Sequence, residues 1–218
     1  MANILLPTTS KNKTDWLGLA PPNDSSSSVK RVLDIGTGTG IWAMDFGEDH
    51  PDAEVLGIDL SMPTPDFNLE PGGYFELQEL EVYPRSDDDS LKPECALSRC
   101  MSHVHKAFEV FGRSFQEIPQ LLAIMKEVGF VDVELRLFKW PSNSWPKHPK
   151  FKELGFWNNE NINNGFEAIT MAPFTRALGW TREEVHEFLP SVRRDLNDKS
   201  IHAYWPVYVV YGRKPVDK

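Results

Sequence analysis

Residues 29–59 read VKRVLDIGTGTGIWAMDFGEDHPDAEVLGID, with Asp34-Ile35-Gly36-Thr37-Gly38-Thr39-Gly40 at the centre and Asp59 at the end. The apolar run over 31–35 has the length of a buried strand, and the three glycines that follow break it. Residues 41–49 have helical character, and a second apolar run over 54–58 reads as another strand. A strand, a glycine turn, a helix and a strand make a βαβ unit, which implies parallel pairing of the two strands.

Glycines in such a turn let a ligand approach the backbone closely and accommodate positive φ, while amides at the start of the following helix can donate to it. An acidic side chain after the second strand can hold ribose hydroxyls. The nicotinamide fingerprint G-x-G-x-x-G would need glycine or alanine at position 41 if Gly36 and Gly38 began it, and the residue is Ile41. A dinucleotide reading therefore has little support.

Working outward, PGG at 71–73 turns the chain into an alternating strand over 73–80, and Asp87, Asp88 and Asp89 follow in what reads as a solvated loop. Leu97, Met101, Val104, Phe108 and Phe111 recur at helical spacing, and 115–128 repeats the pattern up to the helix stop Gly129. Alternation over 130–137 predicts a strand. Residues 140–180 are rich in Trp, Asn and Pro, with little periodicity, and read as an irregular excursion or lid containing one short helix over 166–178. Thr181 and Glu184 have capping-box spacing, which starts a helix at 182 that runs to about 189, ahead of Pro190. The chain closes on a β-rich run over 203–212.

Composition bounds the function classes. The chain has 218 residues, 40% hydrophobic and 25% charged, enough for one domain with a core. Thirty-two acidic residues against 23 basic ones leave a net charge of −9, which offers no general attraction to nucleic acid or to an anionic membrane surface. Two cysteines, Cys95 and Cys100, have neither disulfide-framework nor zinc spacing and fit a cytoplasmic or nuclear location. The apolar run Ile4-Leu5-Leu6 is too short for a signal peptide or a membrane span, so secretion is not expected. Residues 1–28 read as a flexible leader ahead of a single domain over 29–218.

Asp34-x-Gly36-x-Gly38-x-Gly40 after a strand resembles motif I of the class I S-adenosylmethionine-dependent methyltransferases. The longer string VLDIGTGTGIWAMDF, with PGGYFELQE and HAYWPVYVVYGRKP, resembles the fungal LaeA-like methyltransferases of secondary metabolism. That resemblance implies an α/β, Rossmann-like class I methyltransferase sheet with a β-rich carboxyl-terminal end. It also implies S-adenosylmethionine as cofactor, with Asp34, Gly36, Gly38 and Gly40 along its amino-acid moiety and ribose, and Asp59 on the ribose hydroxyls.

The chain departs from that family between Asp59 and the PGG turn, where the family carries two further strand-helix units. At ~30 residues per βαβ unit, on the order of sixty residues are absent. Eleven residues span roughly 36 Å when extended, so the connection is geometrically feasible. The truncated sheet loses covering helices, which predicts exposed apolar surface and a homodimer or partner protein to cover it.

The family resemblance implies a methyltransferase acting on a small molecule. Two other readings are a catalytically inactive helper that binds a pathway intermediate or partner enzyme, and a nuclear regulator. Methyl transfer requires alignment more than a metal, and no metal site is expected. His103, His105 and His202 are candidate bases by residue type alone, and Trp140, Trp145, Trp157 and Trp180 are candidate pocket walls, with packing the commoner role for each.

Overall fold

The computed structural model describes residues 19–24, 26–58, 68–113, 115 and 117–216. Residues 1–18, most of the expected leader, and Asp59 lie outside the described residues.

The βαβ unit forms as its periodicity predicts: β1 (Arg31–Ile35), α1 (Ile41–Asp49) and β2 (Glu54–Ile58), with β1 and β2 parallel and Asp34 opposite Gly57. Gly47 of α1 faces Val55, so the helix covers the face that carries Val55 and Gly57. A second sheet has the order β3-β5-β4, formed by β3 (Tyr74–Leu80), β4 (Val131–Pro141) and β5 (Tyr204–Arg213), with β5 antiparallel to both neighbours. The remaining helices are α2 (Ala96–Val110), α3 (Leu121–Val128), α4 (Pro149–Ala177) and α5 (Arg182–Asn197). The fold is α/β, and its parallel pair is a separate sheet from its antiparallel triple.

The main core lies where α2, α4 and α5 meet the start of β5. Leu97, Val104, Phe166, Phe174, Val185, Leu196 and Trp205 are all buried there. None of the buried residues of this cluster comes from the βαβ unit, whose buried apolar residues are Phe46 and Ile58. On the face of β1 and β2 away from α1, Ile35 is 61% exposed and Leu56 37%. Parallel strands are ordinarily covered on both faces, so this unit presents the apolar surface expected of a sheet that has lost neighbours.

Three expectations need correction. Residues 140–180 are not an irregular excursion, because α4 runs unbroken for 29 residues. The buried face of α4 is mixed, with Leu154, Phe166 and Phe174 beside Asn158, Asn159 and Thr170. Asn158 and Thr170 are buried while Phe151, Phe156 and Ile169 are more than a third exposed, so apolar periodicity does not mark the inner face. The asparagines are accounted for by hydrogen bonding. Asn158 Nδ2 donates to Pro141 O at 2.9 Å, Asn159 Nδ2 to Ser142 O at 3.0 Å, and Asn143 Nδ2 to Leu196 O at 2.8 Å. These amides satisfy carbonyls of the turn after β4 and of the end of α5, which would otherwise be buried without donors.

The helix expected over 115–128 is confined to α3, preceded by a short 3-10 turn, Ile118–Gln120. Pro119 lies in that turn, and its ring would clash with the preceding turn of any helix begun at 115. The helix expected to stop before Pro190 continues instead to Asn197. Pro190 is exposed, while Val185, Leu189, Val192 and Leu196 form a continuous buried stripe, and that burial outweighs one lost backbone bond. The capping box at its start is present, with Thr181 Oγ1 accepting from Glu184 N at 3.1 Å and Glu184 Oε2 from Thr181 N at 2.7 Å.

Among the described residues, no helix is long and apolar enough to cross a membrane, and no three potential ligands converge on a metal position.

Candidate functional site

The turn between β1 and α1 is built on positive φ. Gly36, Gly38 and Gly40 lie at 81°, 54° and 79°, where a β-carbon would be strained. Gly36 N and Thr37 N both donate to Ile58 O, at 2.7 and 2.9 Å, which folds the turn back over the end of β2. Gly40 is the N-cap of α1 and has no side-chain cap, and a β-carbon built on it meets nothing within 4 Å. The helix therefore begins at an open approach.

Beneath the turn are two buried oxygens with no hydrogen-bond partner among the described residues, Asp34 Oδ2 and Thr37 Oγ1. Asp34 is paired with Gly57, and Thr37 packs against Gly57, so both oxygens lie on the face of the sheet that carries α1. A buried carboxylate oxygen and a buried hydroxyl left unsatisfied cost free energy unless a ligand supplies hydrogen-bonding groups. Thr37 is not singled out by the glycine motif. Its lining role becomes visible only through its contact with Gly57. Asp59, the expected ribose ligand, lies outside the described residues.

The other candidates are dispersed. His103 packs edge-on against Phe174, Trp180 and Phe188, and burial lowers its pKa. His105 lies between Tyr83 and Phe115, with Glu109 at 3.8 Å. Trp140 is paired with Trp205 across the sheet, Trp157 is edge-on to Phe156, and Trp180 belongs to the His103 cluster. These tryptophans do not line one pocket.

Trp145 and His202 do come together, at the sheet edge where β3 and β4 end and β5 begins. The ring centroids are 4.9 Å apart, and the Trp145 indole donates to Ala203 O at 2.9 Å. His202 Nδ1 is 2.6 Å from Asp88 Oδ2, and His202 N donates to Ser90 Oγ at 2.8 Å. Asp87 accepts from Lys139 Nζ at 2.5 Å and from the Tyr204 hydroxyl at 2.8 Å. The aspartate run is an exposed loop, as expected, in which Asp87 is tied to Lys139 of β4 and Tyr204 of β5 and Asp88 to His202 just ahead of β5. Hydrogen bonds from Ser90 and then His202 hold the Asp88 carboxyl down to about 2.

No protein-family model matches the chain. Methyltransferase pytC of Aspergillus terreus is 34% identical over 248 aligned positions, which take in 92% of this chain and 76% of that protein. The probable methyltransferase tdiE of Emericella nidulans is 31% identical over 234 positions, covering 87% and 74%. The secondary metabolism regulator LAE1 of Cochliobolus heterostrophus is 28% identical over 246 positions, covering 90% and 80%. In the first alignment 92% of 218 residues is about 200, against 248 positions, so about 48 positions of the relative have no counterpart here. Among solved structures, a methyltransferase of Geobacter sulfurreducens in complex with S-adenosyl-L-homocysteine matches with a TM-score of 0.41 and 17% identity, over 85% of each chain. That likeness is too distant to place a ligand. With this identity over most of its length, the chain belongs to the fungal methyltransferase family of pytC and tdiE, to which the LaeA regulators are also similar, in an internally shortened form.

Proposed function

We propose that the chain binds S-adenosylmethionine at the β1–α1 turn and serves methyl transfer to a small molecule of fungal secondary metabolism. The observation that carries this reading is the pair of buried, unpartnered oxygens, Asp34 Oδ2 and Thr37 Oγ1, under a turn of positive-φ glycines at an open helix start. Asp34 and Thr37 supply acceptors for the cofactor's amino-acid end, Gly36, Gly38 and Gly40 let it approach the backbone, and Asp59 takes the ribose hydroxyls. The cofactor supplies an activated methyl group. The protein's part is to hold donor and acceptor in line and exclude water.

Calorimetric titration of the full chain with S-adenosylmethionine and S-adenosylhomocysteine tests this. Micromolar binding is expected, with at least a tenfold loss in both Asp34→Ala and Asp59→Ala. Absence of binding by folded wild-type protein overturns the reading.

A second reading is a non-catalytic helper or regulator that works through a partner. It is favoured by the separate parallel pair, by exposed Ile35 and Leu56, and by the internal positions that the relatives carry and this chain lacks. In either reading a second copy or a partner protein covers that face, and neither nucleic acid nor membrane is the partner. The compartment is the cytoplasm or nucleus. Methyl-group turnover from S-adenosylmethionine separates the two readings, since only the first requires it.

A further inference from the structure

The edge of the antiparallel sheet at which β3 and β4 end gathers side chains from three connections. Asp87, Asp88 and Ser90 follow β3, Trp145 follows β4, and His202 precedes β5. β3 and β4 both end at this edge and β5, antiparallel to both, begins there, so the three connections are brought together.

His202 has the features of a proton acceptor. Nδ1 is bound to Asp88, which fixes the ring and leaves Nε2 as the second nitrogen, and the side chain is 43% exposed. Nε2 has no hydrogen-bond partner among the described residues. The backbone N–H of His202 on Ser90 Oγ and the indole of Trp145 hold the ring from two further directions. Asp87 of the same loop is already engaged by Lys139 and Tyr204, so Asp88 is the carboxylate that faces the imidazole. This arrangement of carboxylate, imidazole and open nitrogen is the orienting half of a general-base dyad without an attached protein nucleophile.

We propose that His202 Nε2, positioned by Asp88 and backed by Trp145, is the proton acceptor for an acidic hydroxyl of a planar aromatic small molecule, the chemical class of the methyl acceptor. The hydroxyl O–H bond breaks, an Nε2–H bond forms, the electron pair stays on oxygen, and the imidazolium is balanced by the Asp88 carboxylate. This assignment rests on the methyltransferase reading only in naming the anion as the methyl acceptor. The proton transfer itself does not depend on it.

The test uses 4-nitrophenol, a planar phenol whose anion absorbs in the visible. Wild-type protein is expected to raise the phenolate band several-fold below the free probe's midpoint and to shift the His202 ring signal in nitrogen-correlated NMR spectra. His202→Gln is expected to lose both effects, and Asp88→Asn, a change at a positioning residue, to move the pH profile of the phenolate band. Circular dichroism establishes that each variant is folded. Lack of a phenolate or ring response in wild type, or an unchanged response in His202→Gln, overturns the proposal. S-adenosylmethionine titration of the same samples is read separately. A positive phenol response with no cofactor binding removes the methyltransferase reading and leaves the proton-accepting site standing.

Discussion

The Thr37 side chain occupies the space that a β-carbon on Gly57 would fill, its Oγ1 2.6 Å from that point and its own Cβ 2.9 Å. Thr37 belongs to the glycine turn and Gly57 to the neighbouring strand, so this contact seats the turn on the sheet. Gly57→Ala forces Thr37 aside, at a cost of about 1–3 kcal/mol for overpacking, and displaces the turn. Urea unfolding checks the stability loss, and cofactor titration is expected to weaken in parallel.

The end of β4 and the turn after it are gripped by α4 through Gly155 and two asparagines, Asn158 and Asn159. A β-carbon on Gly155 would lie 2.0 Å from the backbone oxygen of Asn143, which no rotamer change relieves. Gly155→Ala is therefore expected to cost about 3 kcal/mol or more by displacing the helix. Asn158→Ala leaves the Pro141 carbonyl buried without its donor, for about 1–3 kcal/mol. Both are read as lowered denaturation midpoints, with Gly155→Ala the more severe.

Asp88 sets one acid limb of stability. Its carboxyl is held from an ordinary 3.8 down to about 2 in the folded chain, so its contribution is full above the unfolded value and is lost as pH falls through about 2. Thermal melts of Asp88→Asn are expected to depend less steeply on pH between those two values than wild type. A residual slope remains, because hydrogen bonds also depress Asp24, Asp87 and Asp198.

The two thiols differ in reactivity. Cys100 is fully buried in the α2 face of the core, and burial pushes its pKa up to about 12, whereas Cys95 at the start of that helix is partly exposed. Mild alkylation of native protein near pH 8 is expected to yield a single adduct at Cys95, with the second appearing only in denaturant. Intact-mass analysis reads this directly.

Local information was legible wherever one element's own residues decide its form. The strand, the glycine turn, α1 and the next strand follow from periodicity and φ preference within 31 residues, and the Thr181–Glu184 cap from a three-residue spacing. The candidate cofactor turn was legible for the same reason, because positive φ demands glycine at Gly36, Gly38 and Gly40 irrespective of what packs around them. The length of α4 was not, since its buried face mixes Leu154, Phe166 and Phe174 with Asn158 and Asn159, whose donors are satisfied by carbonyls that the sequence does not bring into view.

By itself, then, the sequence determined a βαβ unit with a turn of positive-φ glycines and the identity of most helices and strands, because backbone preference and amphipathic period act over a few residues. Tertiary structure alone decided that the parallel pair stands apart from the antiparallel sheet, that Thr37 rests on Gly57, and that Asp88 meets His202 across 114 positions. Those outcomes depend on which surfaces are buried together, a competition among distant segments that no local pattern encodes.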